Sequence, residues 1–415
     1  MLVNISCLHF RFVLITVNTS ANYDTIPFAK PLRQRCEIRK GFRIIDADGH
    51  FYEPADLWIN YIEDEYKDHV PKVKKVHGNS LLQLEGETTG AWQAKTLFDQ
   101  MDSKFGHAFR DNWSMSSRLL DMETEGWDIQ VCLPTKTVSL PSFIEPAVQG
   151  AMCRAYNNWA YDFSRNASTK VKFTAPVPGH NIKDMCSEIE RSISELGAVS
   201  IFLPKAMPGK MWHHPIYDKI WRTIQELDVP ISIHGNSSSG GQPLTGARYD
   251  SSTGPFIALG QAIGFPFENM INLGHFIYSG LLDKFPSLRL LILEANSGWL
   301  PFWLNRLEKY CEGRQSVFFD EHPLQLSPQD YFLRQCAVAA DADEPTIKYV
   351  VDYIGDDNIV FNTDYPHPDA PATSEPLKNM LEQPLSEETK RKILWDNSVK
   401  IYGHRLTDGH PLASD

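Results

Sequence analysis

The chain has 415 residues, of which 42% are hydrophobic, 22% charged and 11% aromatic, and its formal net charge is −12. That acidic surplus excludes nucleic acid and anionic membrane as natural partners, since neither is drawn to a negative surface, and leaves a small molecule as the expected ligand. The length fits one large α/β barrel or two average domains.

Residues 1–40 read as an irregular N-terminal extension. The stretch "CLHFRFVLITV" has the apolar character of a signal segment, but Arg11 interrupts it and no basic run precedes it, so secretion is not expected. No apolar run reaches the roughly 18 residues of a membrane-spanning helix. Seven cysteines, odd in number and scattered without a C-x-x-C pair, indicate a reducing and therefore cytoplasmic setting.

The first strand opens with Arg43, Ile44 and Ile45 and runs into Asp46, Asp48 and His50 at alternating positions. On a regular strand these three would share one face, and two acids with a histidine on an inward face are costly unless something pairs them. A metal ion would do so. Residues 51–115, with the turn-rich text "VHGNSLLQLEGETTGAW", are too long for a loop and read as an inserted subdomain or lid.

Beyond residue 116, β-rich runs alternate with amphipathic stretches. Strands are predicted at 127–134, 170–178, 197–204, 229–235, 288–295, 332–340 and 358–366, with helices between them. A final helix starts at Ser386 and stops at Gly403, both ordinary cap residues. With the first strand this makes eight, each followed by helix. The pattern describes a (β/α)₈ TIM barrel over 41–405, with a C-terminal tail at 406–415.

In such a barrel the C-terminal strand ends build the active site. The first strand ends in Asp48 and His50, the fifth in His234, the sixth in Glu294 and the eighth in Asp364. Each has a plainer reading: His234 as a rim histidine, Glu294 as a helix N-terminal acid, Asp364 as a turn former before Pro366. Four strand ends supplying nitrogen or carboxylate together point to a divalent cation.

The stretches "IIDADGHFYEP", "VPISIHG", "FPSLRLLILEANSGWLPFWLNR" and "FNTDYPHPD" resemble the amidohydrolase superfamily, in its branch related to aminocarboxymuconate semialdehyde decarboxylase. The resemblance spans residues 42–403. It implies a metal-dependent (β/α)₈ barrel that performs non-oxidative decarboxylation, or hydrolysis, of small carboxylated or ring-derived substrates. Carried over residue by residue, the first-strand H-x-H pair of the family falls on Asp48 and His50, the fifth-strand histidine on His234, the sixth-strand histidine on Glu294 and the eighth-strand aspartate on Asp364. Two histidines have thus become acids. Three carboxylates around one divalent ion leave a net negative shell, a weaker Lewis acid, and make manganese or magnesium more competitive with zinc.

Under this resemblance Asp364 is the expected proton shuttle, and Glu294 either coordinates the ion or protonates the substrate carbon. A substrate carboxylate needs a cation. Arg306 stands where the family places an arginine, although it could equally be a solvated helix residue, and Arg110 and Arg118 are further candidates. His367 in "YPHPD" either lines the pocket or shapes the turn, and Glu53 could orient a ligand. His275 is expected to be a packing or interface residue, and His213 and His214 to cap a helix or face solvent. Trp299, Phe302, Trp303 and Tyr310 put more aromatic surface on one helix than barrel strands need, which suggests a homodimer or larger assembly.

Three readings follow. The first is a metal-dependent decarboxylase of a small aromatic or unsaturated carboxylic acid. The second is a metal-dependent hydrolase of C–N, C–O or C–C bonds at the same site. The third is a non-catalytic barrel, which would hold little metal.

Overall fold

The computed structural model describes residues 39–54, 56–70, 72–76, 79–84, 87–89, 104–135, 145–203, 206–207, 209–234, 255–312, 323–367 and 374–414. Residues 1–38, nearly all of the expected N-terminal extension, lie outside them. The strands in chain order are β1 (Ile45–Phe51), β2 (Lys72–Val76), β3 (Asn79–Leu84), β4 (Glu87–Thr89), β5 (Ile129–Pro134), β6 (Val171–Pro176), β7 (Ser200–Phe202), β8 (Ile231–His234), β9 (Leu290–Leu293), β10 (Cys336–Ala340) and β11 (Ile359–Phe361). Eight of them form one parallel sheet in the order β1-β5-β6-β7-β8-β9-β10-β11, while β2, β3 and β4 form a separate antiparallel sheet.

The parallel sheet closes into a (β/α)₈ barrel. Its seam lies between the end of β1 and the segment after β11, where the Asp364 amide donates to the Asp48 carbonyl (2.7 Å) and the His50 amide to the Tyr365 carbonyl (2.6 Å). Alternation along the strands divides the core in two. Ile45, Ala47, Ile129, Val131, Leu133, Leu291, Leu293, Ala337, Ala339 and Val360 fill the barrel interior. Their neighbours, such as Ile292, Val338 and Phe361, join a larger core with the surrounding helices.

Those helices form where cap and apolar spacing agree. Ile182–Ser194 begins at Asn181, whose side chain accepts from the Lys183 and Asp184 amides, and it buries Met185, Ile189 and Ile193, one face at intervals of four. Met115–Glu125 is capped by Ser114 and stops at Gly126, whose φ of 91° is the left-handed turn glycine adopts without steric cost. Two residues on, Asp128 accepts from the Ile44 amide (2.8 Å) and sets β5 beside β1.

Three local expectations need correction. Residues 332–335 are not strand: they finish the helix Pro328–Gln335, which Ser327 caps by accepting from the Asp330 amide. The signature Ser-Pro at the helix start outweighed the apolar look of Phe332 and Leu333. The tail after 405 is not separate from the barrel. Leu406 sits in the interior core with Trp395 and Tyr402, and the Leu412 carbonyl accepts from Arg43 (2.9 Å), just before β1. The C-terminal segment thus plugs the N-terminal end of the barrel.

The third correction concerns β1. Between Asp46 and Gly49 this strand advances three residues while its partner advances two, from Gln130 to Cys132. One extra residue is a β-bulge, which re-aims the side chains beyond it. Gly49 fits this geometry: a Cβ there would stand 2.7 Å from the Gln130 side chain. Asp46, Asp48 and His50 therefore do not have equivalent surroundings.

Candidate metal centre

The strand ends converge as the barrel requires. His50 lies near the end of β1, His234 is the last residue of β8, Glu294 follows β9 directly, and Asp364 comes three residues after β11. Because β8 neighbours β9 and β11 closes on β1, the side chains meet as two pairs. His234 Nε2 contacts Glu294 Oε2, and His50 Nε2 lies 3.2 Å from Asp364 Oδ1. The two imidazoles face each other edge-on, ring centres 5.2 Å apart. Ligand atoms of Asp48, His50 and His234 all fall within 4.8 Å of one another, as do those of His50, Glu294, Asp364 and His367.

Glu294 and Asp364 have φ of 47° and 52°, in the left-handed region that costs an ordinary side chain about 1–2 kcal/mol. Such a conformation persists where surrounding structure fixes it, as the seam bonds fix Asp364 and the Asn269 side chain fixes the Leu293 carbonyl before Glu294 (3.2 Å).

The electrostatics call for a cation. Asp48 is wholly buried, and neither of its carboxylate oxygens accepts a hydrogen bond among the described residues. Burial drives its pKa well above the usual carboxylate range; His234 opposes this, while Asp364 and Glu294 reinforce it. A buried carboxylate without donors costs several kcal/mol, of the order a bound divalent ion would offset. His50 fits the same purpose. Burial, and then the nearby His367 and His234, hold its pKa well below normal, and its Nδ1 hydrogen-bonds the Pro134 carbonyl (3.0 Å), which leaves Nε2 as a lone-pair donor. For His234, burial disfavours the charged ring, but the Glu294 carboxylate outweighs it and raises the pKa to about 9, so a divalent ion would displace that proton on taking His234 as a ligand. The donor set of carboxylate oxygens and imidazole nitrogens thus fits a divalent metal.

His367 joins the cluster. Its Nδ1 lies 2.7 Å from Asp364 Oδ1, its ring centre 4.1 Å from that of His50, and its Nε2 3.1 Å from Thr135 Oγ1. Thr135, just past β5, escaped the sequence reading; its place at a barrel strand end was the available signal. The arginines are placed differently. Arg306 is exposed and donates to its own helix neighbour Tyr310 (2.9 Å), so within one chain it is not brought to the cluster. Arg110 is exposed at the end of Gly106–Arg110. Arg118 is buried and donates to the His50 carbonyl and to Gln130, so it serves the scaffold behind the site. His214 caps a short helix by accepting from the Ile216 amide, as expected, and His275 pairs with His213 (3.2 Å).

The family model described as Amidohydrolase matches residues 45–404. A 2-amino-3-carboxymuconate-6-semialdehyde decarboxylase from Dictyostelium discoideum is 22% identical over 73% of this chain and 80% of its own length. A gamma-resorcylate decarboxylase from a Polaromonas strain is 25% identical over 73% of this chain and 94% of its own. Among solved structures, an amidohydrolase from Mycobacterium avium subsp. paratuberculosis superposes with a TM-score of 0.72, covering 88% of this chain and 98% of that one at 18% identity. A 5-carboxyvanillate decarboxylase from Novosphingobium aromaticivorans, solved with bound manganese and a nitrobenzoic acid, gives 0.63 at 19% identity, with 88% and 97% covered.

Proposed function

Because the chain belongs to the amidohydrolase family, we propose that it is a metal-dependent, non-oxidative decarboxylase of a small aromatic or unsaturated carboxylic acid. The observation that carries this reading is Asp48, a wholly buried carboxylate with no hydrogen-bond donor among the described residues, set among His50, His234, Glu294 and Asp364. These five residues would hold one divalent ion. The carboxylate-rich set favours manganese, with zinc and magnesium as alternatives, and the manganese in the 5-carboxyvanillate decarboxylase structure supports that order. When bound, such an ion would supply Lewis-acid stabilisation of the substrate's negative charge.

The remaining work falls to side chains. Decarboxylation replaces a carbon–carboxylate bond with a carbon–hydrogen bond, so a proton must reach the ring carbon as carbon dioxide leaves. We assign that delivery to Asp364; the reading is supported by His367, 2.7 Å away and steadied by Thr135, which orients the Asp364 carboxyl and can replenish its proton. Glu294 holds His234 and closes the opposite side of the site. Hydrolysis is the alternative reading, since the same ligands could hold water in place of substrate. Incubating the manganese-loaded protein with hydroxylated benzoic acids and measuring carbon dioxide separates the two: release supports decarboxylation, and turnover without it supports hydrolysis.

The assembly is a homodimer or larger homo-oligomer. Leu259, Phe267 and Ile271 are exposed along one face of the helix Pro255–Tyr278, whose single acid, Glu268, is buried. On the helix Leu300–Cys311 Phe302 is 62% exposed, whereas Trp303 turns onto Gly274 and the Trp299 indole donates to the Ala295 carbonyl. An exposed apolar face on an acidic protein suits another copy of itself better than an anionic membrane. Among the described residues no helix is long and apolar enough to cross a bilayer, and the described cysteines are unpaired, which supports a reducing, cytoplasmic residence.

A further inference from the structure

We infer that Asp46 is a positioning residue for the metal centre, acting through both strands of the barrel seam; the inference rests on the metal reading above. Asp46 and Asp48 are both wholly buried and only two residues apart, yet their surroundings are opposite. Asp48 accepts no hydrogen bond among the described residues. Asp46 is saturated: its Oδ1 accepts from the Thr363 amide (2.9 Å) and the Asp48 amide (3.3 Å), and its Oδ2 from the Thr363 hydroxyl (2.6 Å) and the Gln130 amide group (2.6 Å). With both oxygens occupied, Asp46 has no lone pair to offer an ion.

Its partners explain what it does instead. Thr363 directly precedes Asp364. Gln130, through its own oxygen, accepts from Arg118, and the other arm of Arg118 donates to the His50 carbonyl. An unbroken buried line thus runs from Thr363 through Asp46, Gln130 and Arg118 to His50, joining the segments that carry two of the five ligands. Arg118 is itself held between the rings of Phe51 and Tyr365, at 5.2 and 4.9 Å. The line spans the place where the barrel has no regular ladder, the seam carried by the amides of His50 and Asp364. Only a charged carboxylate can accept all four donors at once, since an amide at position 46 would offer one oxygen and present a donor to Gln130 and Thr363. Asp46 therefore fixes the distance between the ligand atoms of His50 and Asp364, and holds Asp364 in its left-handed conformation. Outer partners of this kind govern metal affinity.

The test is manganese affinity, read by electron paramagnetic resonance of the free ion, with fold checked by circular dichroism. Asp46→Asn should remain folded and bind manganese roughly 10–100-fold more weakly. Thr363→Val should weaken binding in the same direction, and Thr363→Ser, which keeps the hydroxyl, should restore it. Folded Asp46→Asn with affinity equal to wild type would overturn the inference. Should that variant not fold, equal affinities for Thr363→Val and Thr363→Ser would overturn it as well. A wild-type protein that takes up no divalent ion would instead overturn the metal reading beneath it, so the two failures are distinct.

Discussion

His367 Nδ1 and Asp364 Oδ1 stand 2.7 Å apart, three residues from one another on the loop that closes the barrel. The contact makes Asp364 the junction between the ligand cluster and His367, which is braced by the Thr135 hydroxyl. Replacing Asp364 by Asn keeps the volume and removes the proton-accepting charge. Turnover should fall at least about 10²–10⁴-fold, the usual contribution of a positioned acid–base group, with the thermal transition little changed. Activity within tenfold of wild type would remove Asp364 from the proton path.

Glu294→His tests whether Glu294 touches the ion. As a ligand, it would be exchanged for a softer, neutral one, and metal preference should move from manganese toward zinc in a competition assay. As an acid beside the ion, it would cost rate and leave preference alone. Unchanged preference and unchanged rate together would place Glu294 outside the site's chemistry.

Asp341 offers a pH test independent of the ligands. It follows β10 and accepts from Asn296 (2.5 Å) and Asn362 (3.1 Å), two residues from Glu294 and Asp364 respectively. Burial raises its pKa to about 6; the two amide contacts oppose this and Glu344 and Asp343 add to it. The folded state therefore holds this proton more tightly than the unfolded chain, whose aspartates titrate near about 3.9. The associated stability is present below that value and is lost as pH rises through about 6. In urea titrations the stability of wild type relative to Asp341→Asn should decline by on the order of 2 kcal/mol between about pH 4 and 7. A flat difference would mean that Asp341 titrates as an ordinary surface acid.

The apolar face gives a prediction of assembly. Phe267→Glu together with Phe302→Glu places charge on the two most exposed aromatic positions of the neighbouring helices, and light scattering should then report a monomer where wild type reports a dimer or larger species. A monomeric wild type at micromolar concentration would contradict the proposed association.

Much of this molecule was legible in its residues because a parallel barrel repeats one pattern: an apolar strand, then a polar residue at its end. That pattern located His50, His234, Glu294 and Asp364 without coordinates. What it missed came from local departures. Strict alternation put Asp46 and Asp48 in one role, but the bulge beside Gly49 gives one to the scaffold and the other to the cluster. Arg118, conspicuous as a cation, is consumed by a carbonyl and a glutamine in the core, a fate that depends on which strands become neighbours. The sequence of helix 300–311 offers several aromatics for an outward face, yet Trp303 packs on Gly274, a contact with a segment about thirty residues away that helical periodicity alone does not show.

Asp48, His50, His234, Glu294 and Asp364 are proposed to hold one catalytic divalent ion. Elemental analysis of protein purified without chelator, compared between wild type and His234→Ala, tests it most directly. One divalent ion is expected for each wild-type chain and a clear loss in the variant, because removing a nitrogen donor from so small a set weakens binding. Wild type with only trace metal, or a variant with undiminished occupancy, would contradict it.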